Sequence, residues 1–135
     1  MSGYSGTPLA KKLGFKPPLT VLTVDAPKAY RDWLEGLEEG VGFTARMPKT
    51  VAAAHVFVTR ESDLRTHATK LRKCLEPTGF VWVSWPKKAS GVATDVTEDT
   101  IRKVALPMGF VDVKVCAVTD TWSGLKLVIR KSERK

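Results

Sequence analysis

Residues 55–85 read HVFVTRESDLRTHATKLRKCLEPTGFVWVSW, and this stretch decides the fold. HVFVT at 55–59 is a short β-branched and aromatic run of the kind that makes a buried strand. From Glu61 to Leu75 the apolar residues Leu64, Ala68, Leu71 and Leu75 recur at helical spacing. Glu61 and Asp63 stand in the first turn and Lys70, Arg72 and Lys73 in the last, the charge order a helix dipole favours. Pro77 and Gly79 end the helix, and FVWVSW at Phe80–Trp85 predicts a second apolar strand. Two buried strands joined by a helix-length crossover predict a parallel pair.

The same alternation extends outward. LTVLTVD at Leu19–Asp25 predicts a strand, and Pro27 starts a helix with Ala29, Tyr30, Trp33, Leu34 and Leu37 on one stripe, weakened by Gly36 and Gly40. Val41–Arg46 predicts a short strand before a turn at Pro48 and Lys49. Ahead of these, Thr7 caps and Pro8 opens a short helix that Gly14 closes. Beyond Trp85, a loop over Pro86–Thr94 leads to a helix over about Thr97–Leu106, broken by Pro107 and Gly109. Val111–Val118 and Leu125–Arg130 predict two last strands, with Trp122-Ser123-Gly124 as the hairpin turn. No helix separates these two strands, so they should run antiparallel. The expected fold is α/β: a three-layer, Rossmann-like, mostly parallel sheet with an antiparallel C-terminal strand, as one domain over residues 1–135.

Composition narrows the class. A chain of 135 residues with 43% hydrophobic residues is neither disordered nor low-complexity. Its longest uncharged runs fall far short of the ~18–20 residues a membrane helix needs. The start, MSGYSGTPLAKKLG, lacks an apolar signal region, so a cytoplasmic protein is expected. Cys74 and Cys116 have no C-x-x-C or paired-His spacing, as suits a reducing compartment in which both thiols pack as small core residues. The net charge is +8, with +4 up to Trp85 and +4 after it. Charge spread in this way suits solubility more than a nucleic-acid footprint.

Several of these runs resemble the second half of a class I, S-adenosylmethionine-dependent methyltransferase domain. HVFV, a helix, LEPTGFVWVSW, a helix ending in MGF, VDVKVCAV and GLKLVIRK succeed one another in that family's order. The run WVSWPKKASG at residues 82–91, with the residues that follow it to Lys131, also resembles a small bacterial family, a domain of unknown function that brings no established activity, and that resemblance covers nearly the whole chain. The methyltransferase resemblance implies a glycine-rich turn after the first strand and an acid at the end of the second. This chain has TVDAPKAY and VGFTAR at those places, with no glycine after Val24, Pro27 in the turn and Arg46 at the second strand's end. Proline removes a backbone donor and fixes the chain's direction, so the usual adenosyl crevice reads as closed by Ala26-Pro27.

Ligands of open parallel sheets bind beyond the carboxyl ends of the strands. The residues expected there are Asp25, and Trp85, Pro86, Lys87, Lys88, Ser90, Gly91, Thr94 and Asp95. Lys87, Lys88 and the Ser90 hydroxyl could meet an anion, and Trp85 could offer a flat face to a base or sugar. Asp95 and Asp25 could equally cap the helices next in the chain. His55 and His67 have no i+4 His or Cys partner, so no metal site is expected, and His55 reads as a core or surface residue. No catalytic set and no specific cofactor are indicated.

The leading expectation is a non-catalytic binder of an anionic small molecule, a nucleotide or phosphate ester, at the Trp85–Asp95 loop. The alternatives are a divergent methyltransferase-like enzyme and a nucleic-acid or protein-binding module. Self-association through a sheet edge is a further option, and no membrane partner is expected.

Overall fold

β-branched and aromatic residues dominate six strands that pair into one sheet. They are β1 (Leu19–Val24), β2 (Val41–Thr44), β3 (Val51–Phe57), β4 (Leu75–Pro86), β5 (Phe110–Ala117) and β6 (Trp122–Ile129). The computed structural model describes residues 7–134; residues 1–6, the first part of the MSGYSGTPLAKKLG stretch, lie outside the described residues. The strand order is β2-β1-β3-β4-β6-β5. β2, β1, β3 and β4 pair in parallel, while β6 runs antiparallel to both β4 and β5. The chain moves outward from β1 to β2, then returns past β1 to β3. The order therefore reverses beside β1, which is where an open α/β sheet leaves a crevice at its carboxyl edge.

Helices lie on both faces, as expected. α3 (Glu61–Cys74) and α4 (Glu98–Ala105) bury Leu64, Ala68, Leu71, Ile101 and Val104 on one face, against Leu22, Val56, Val83 and Leu125. α1 (Leu9–Lys12) and α2 (Tyr30–Trp33) cover the other face, where Leu9, Leu13 and Tyr30 pack on Val21, Phe57 and Trp82. Trp82 is fully buried and its Nε1 donates to the Leu13 carbonyl at 2.8 Å, which pins the end of α1 to the sheet. Fully burying large side chains of this kind contributes about 1.5–3 kcal/mol each. No helix among the described residues is long and apolar enough to cross a membrane.

Several local readings are corrected. The helix after Pro27 is a single turn, because Gly36 adopts φ 78° and the chain leaves the helical region already at Leu34. A Cβ at Gly36 would lie 2.6 Å from Pro8 Cβ, so the turn is shaped by close packing on the start of α1. Pro8, not Thr7, is the N-cap of α1, with no side-chain capping bond. β3 begins at Val51, four residues before His55, which sets that histidine mid-strand. Trp122-Ser123-Gly124 is strand, not turn: Gly124 pairs with Ser84 and Cys116, and the reversal is closed by Val118 and Thr119 N–H groups on the Trp122 carbonyl. Gly124 is needed because a Cβ there would press on Trp82 and Val118 at 3.2 Å.

Candidate functional site

The carboxyl edge is built on the end of β1. Among the described residues Asp25 is the one non-glycine residue with a positive φ, 56°. Asp tolerates this left-handed conformation better than most residues, and it turns the chain sharply away from the sheet. Ala26 and Pro27 come next, and the Tyr30 N–H donates to the Pro27 carbonyl to start α2. Asp25 does not cap α2, which has no side-chain cap. Its carboxylate lies 3.7 Å from His67 Nε2 on α3 and is 73% exposed.

Behind the turn lies a buried polar chain that no sequence motif announces. Tyr30 Oη and His55 Nδ1 are 2.8 Å apart, and His55 Nε2 and Ser84 Oγ are 2.8 Å apart. The imidazole stacks on Phe57 with ring centroids 4.4 Å apart, and Tyr30 stands edge-on to His55, Phe57 and Phe43. Burial pushes His55 down to about 3 and pushes the Tyr30 phenol well up, so the chain is neutral near pH 7. The available signal is a histidine and a serine on the same parity of two adjacent apolar strands, which places both on one sheet face.

A cleft of about 270 Å³ remains open between the ends of β1 and β2, lined by Thr23, Ala26, Pro27 and Lys28, and by Arg31, Phe43 and Thr44 across from them. The Arg31 guanidinium carbon sits 4.5 Å over the Phe43 ring, holding its charge at the rim. The Thr23 hydroxyl donates to the Thr44 carbonyl at 3.5 Å, tying the two strand ends together.

The 85–95 loop is placed differently from expectation. Trp85 is 8% exposed and packs in the core on the α3/α4 face, so its ring is not a stacking surface. Pro86 is buried in β4. The Ser90 hydroxyl donates to the Lys87 carbonyl at 2.6 Å and accepts from the Val92 N–H, while Gly91 supplies a φ of 76°. The Thr94 hydroxyl donates to the Thr59 carbonyl at 2.7 Å, and the Asp95 N–H donates to the same oxygen. Asp95 Oδ1 accepts from the Glu61 N–H at 2.7 Å, so Asp95 caps α3, not the helix after it; Thr97 caps α4. The N-terminus of α3, the natural seat for an anion at this edge, thus holds a carboxylate of the chain itself. The loop folds over the end of β3, and its ammonium groups, Lys87 and Lys88, are what it still offers a ligand.

Among the described residues no group of three or more His, Cys, Asp or Glu side chains could hold a metal ion. Cys116 is buried and Cys74 half-buried, and burial raises both thiols, away from the reactive thiolate.

The fold has clear relatives among solved structures. The chain is similar to a candidate type 11 methyltransferase from Sulfolobus solfataricus, with TM-score 0.63 and 14% identity over 94% of this chain and 92% of that one. It is similar to a SAM-dependent methyltransferase from Aquifex aeolicus, with TM-score 0.61 and 15% identity over 90% of this chain and 87% of that one. A third is a ribosomal protein L11 methylase from Lactobacillus delbrueckii subsp. bulgaricus, with TM-score 0.56 and 13% identity over 90% of this chain and 75% of that one. The fold is therefore methyltransferase-like. No family profile and no curated protein matches the chain.

Ala26 and Pro27 line the open cleft between β1 and β2 rather than filling it. The left-handed turn after β1 is present without a glycine, and aromatic walls and two threonine hydroxyls line the cleft. The volume falls just below the ~300–1,000 Å³ of pockets that enclose a whole small molecule, so it suits a ring-sized portion of one.

Proposed function

We propose that the chain is a reduced methyltransferase-like domain that seats a nucleoside-type ligand of the S-adenosylmethionine class against the Asp25–Lys28 turn. The observation that carries this reading is the φ of 56° at Asp25. It bends the backbone after β1 as a glycine would, at the place where the order of the parallel strands reverses. The Thr23 hydroxyl, whose proton goes to the Thr44 carbonyl, would accept a hydrogen bond from the sugar, and Phe43 and the Ala26-Pro27 surface would face its base. When bound, S-adenosylmethionine supplies an electrophilic methyl group. At the same edge, His67, whose Nε2 lies 3.7 Å from the Asp25 carboxylate, would receive a proton released by a methyl acceptor.

A second reading is favoured by Lys28 and Arg31, which line the cleft with no carboxylate among the lining residues. These cations suit a phosphorylated nucleotide, the anionic ligand class expected from the sequence, but at β1–β2 instead of the 85–95 loop. Titration calorimetry with S-adenosylmethionine, and separately with a nucleoside diphosphate, tests both. Saturable micromolar binding of S-adenosylmethionine supports the first reading. Binding of the diphosphate alone replaces it with the second, and no heat with either at millimolar ligand overturns both.

A further inference from the structure

β5 forms the sheet edge farthest from β2, and Lys114 on it stands directly opposite Lys126 on β6. Residues in register project to the same face, so two like charges are set side by side, a pairing that destabilises a sheet. Lys114 Nζ lies 3.5 Å from the Lys12 carbonyl at the end of α1. Lys126 Nζ sits 4.5 Å over the Phe80 ring and 3.7 Å from where a Cβ on Gly14 would be. Both ammonium groups therefore gather at the end of α1, which carries Lys11 and Lys12 in its last turn. A groove of about 410 Å³ opens here, lined by Lys11, Lys12, Lys114 and residues 115–117, with no carboxylate among its lining residues. Burial first, and the nearby Lys114 second, lower the Lys126 pKa.

Bland explanations cover only parts of this cluster. A lysine on an edge strand deters edge-to-edge pairing, which accounts for Lys114. Basic residues suit the last turn of a helix, which accounts for Lys11 and Lys12. The Phe80 ring gives Lys126 a cation–π partner, but that contact does not account for a second lysine directly opposite Lys114.

We infer that this groove docks the phosphodiester backbone of a nucleic-acid strand. Lys11, Lys12 and Lys114 line an open groove, with Lys126 beside them over Phe80, and they do not converge on one buried point, which suits a polyanion better than a single phosphate. Neutralising several phosphates releases condensed counterions, and that release offsets the repulsion among the lysines. A membrane surface is the poorer match, because the apolar side of α1, Leu9 and Ala10, is buried in the core and cannot enter lipid. The inference does not depend on the nucleoside reading, since the groove lies across the sheet from the β1–β2 mouth.

Fluorescence anisotropy of a labelled 20-nucleotide single-stranded RNA, titrated with the full chain between 50 and 300 mM salt, tests it. Four lysine–phosphate contacts predict a log–log salt slope of about −3, and Lys114→Gln with Lys126→Gln should flatten that slope by about 1.4. Lys11→Gln with Lys12→Gln is the second variant, should the strand pair fail to fold, and should flatten it similarly. Lys49→Gln with Lys103→Gln, which removes the same charge elsewhere, should leave the slope nearly unchanged. Equal weakening by that distant pair, a flat salt response, or binding to anionic lipid vesicles with none to RNA would each overturn the inference.

Discussion

Asp95 caps a helix that begins 34 residues before it, its Oδ1 accepting the Glu61 N–H at 2.7 Å. This bond, with the two that Thr94 and Asp95 make to the Thr59 carbonyl, holds the 86–95 loop against the end of β3. Asp95→Ala should cost about 1 kcal/mol, the usual worth of an N-cap, and lower the melting temperature by about 3–6 °C. Urea denaturation followed by far-UV circular dichroism checks this. An unchanged midpoint would mean that the cap contributes nothing.

The Tyr30–His55–Ser84 chain predicts how stability depends on pH. His55 stays neutral in the folded protein down to about 3 but titrates near 6.5 when unfolded. Below pH 6.5 the unfolded chain takes up a proton that the folded one refuses, so stability falls as the pH drops from about 6.5 toward 3. The slope approaches ~1.4 kcal/mol per pH unit. Asp112 has a lowered pKa through its hydrogen bond from Arg102, so its contribution is lost only below the ordinary carboxylate range. The difference between the parent chain and a His55 variant over pH 6.5 to 4.5 therefore reads the His55 contribution. His55→Leu should flatten the profile there, although the protein will be less stable throughout.

Removing one end of that chain leaves a buried ring nitrogen without its partner. Tyr30→Phe strips Nδ1 and Ser84→Ala strips Nε2. Each should cost about 1–3 kcal/mol, and together they should depart from additivity by at least about 0.5 kcal/mol, because both act through one imidazole. A double-mutant cycle in urea gives that coupling directly. Strict additivity would show that the two bonds are independent.

Asp25 tests the turn itself. Asp25→Gly preserves a backbone with φ 56° and should change stability by less than about 0.5 kcal/mol. Asp25→Val, β-branched at a positive φ, should cost about 1–2 kcal/mol and weaken any ligand held by the turn. Equal stability of the two variants would show that the left-handed conformation is not required.

The alternation of strands with helices is legible in the sequence because periodicity is local. HVFVT, the Leu64–Leu71 stripe and FVWVSW each announce their element, and the helix-length crossovers announce parallel pairing, but the strand order is seen only in the fold. The stripe from Ala29 to Leu37 predicts more helix than forms, because Gly36 packs on Pro8, a contact invisible along the chain. The polar residues of the 86–95 loop stand out in the sequence as unusual, yet their partners lie about 35 residues away, at Thr59 and Glu61. Spacing reports which residues could bind a ligand, not whether the fold has already used them. His55, readable from sequence only as a core or surface residue, lies in the core, and the two partners that make it a polar chain come from α2 and β4.

The most direct test is to map amide chemical shifts by NMR while S-adenosylmethionine is titrated into the ¹⁵N-labelled chain. The account predicts saturable shifts that cluster at residues 23–31 and 43–46, with the 86–95 loop nearly still. Shifts centred on 86–95, or none at millimolar ligand, would contradict it.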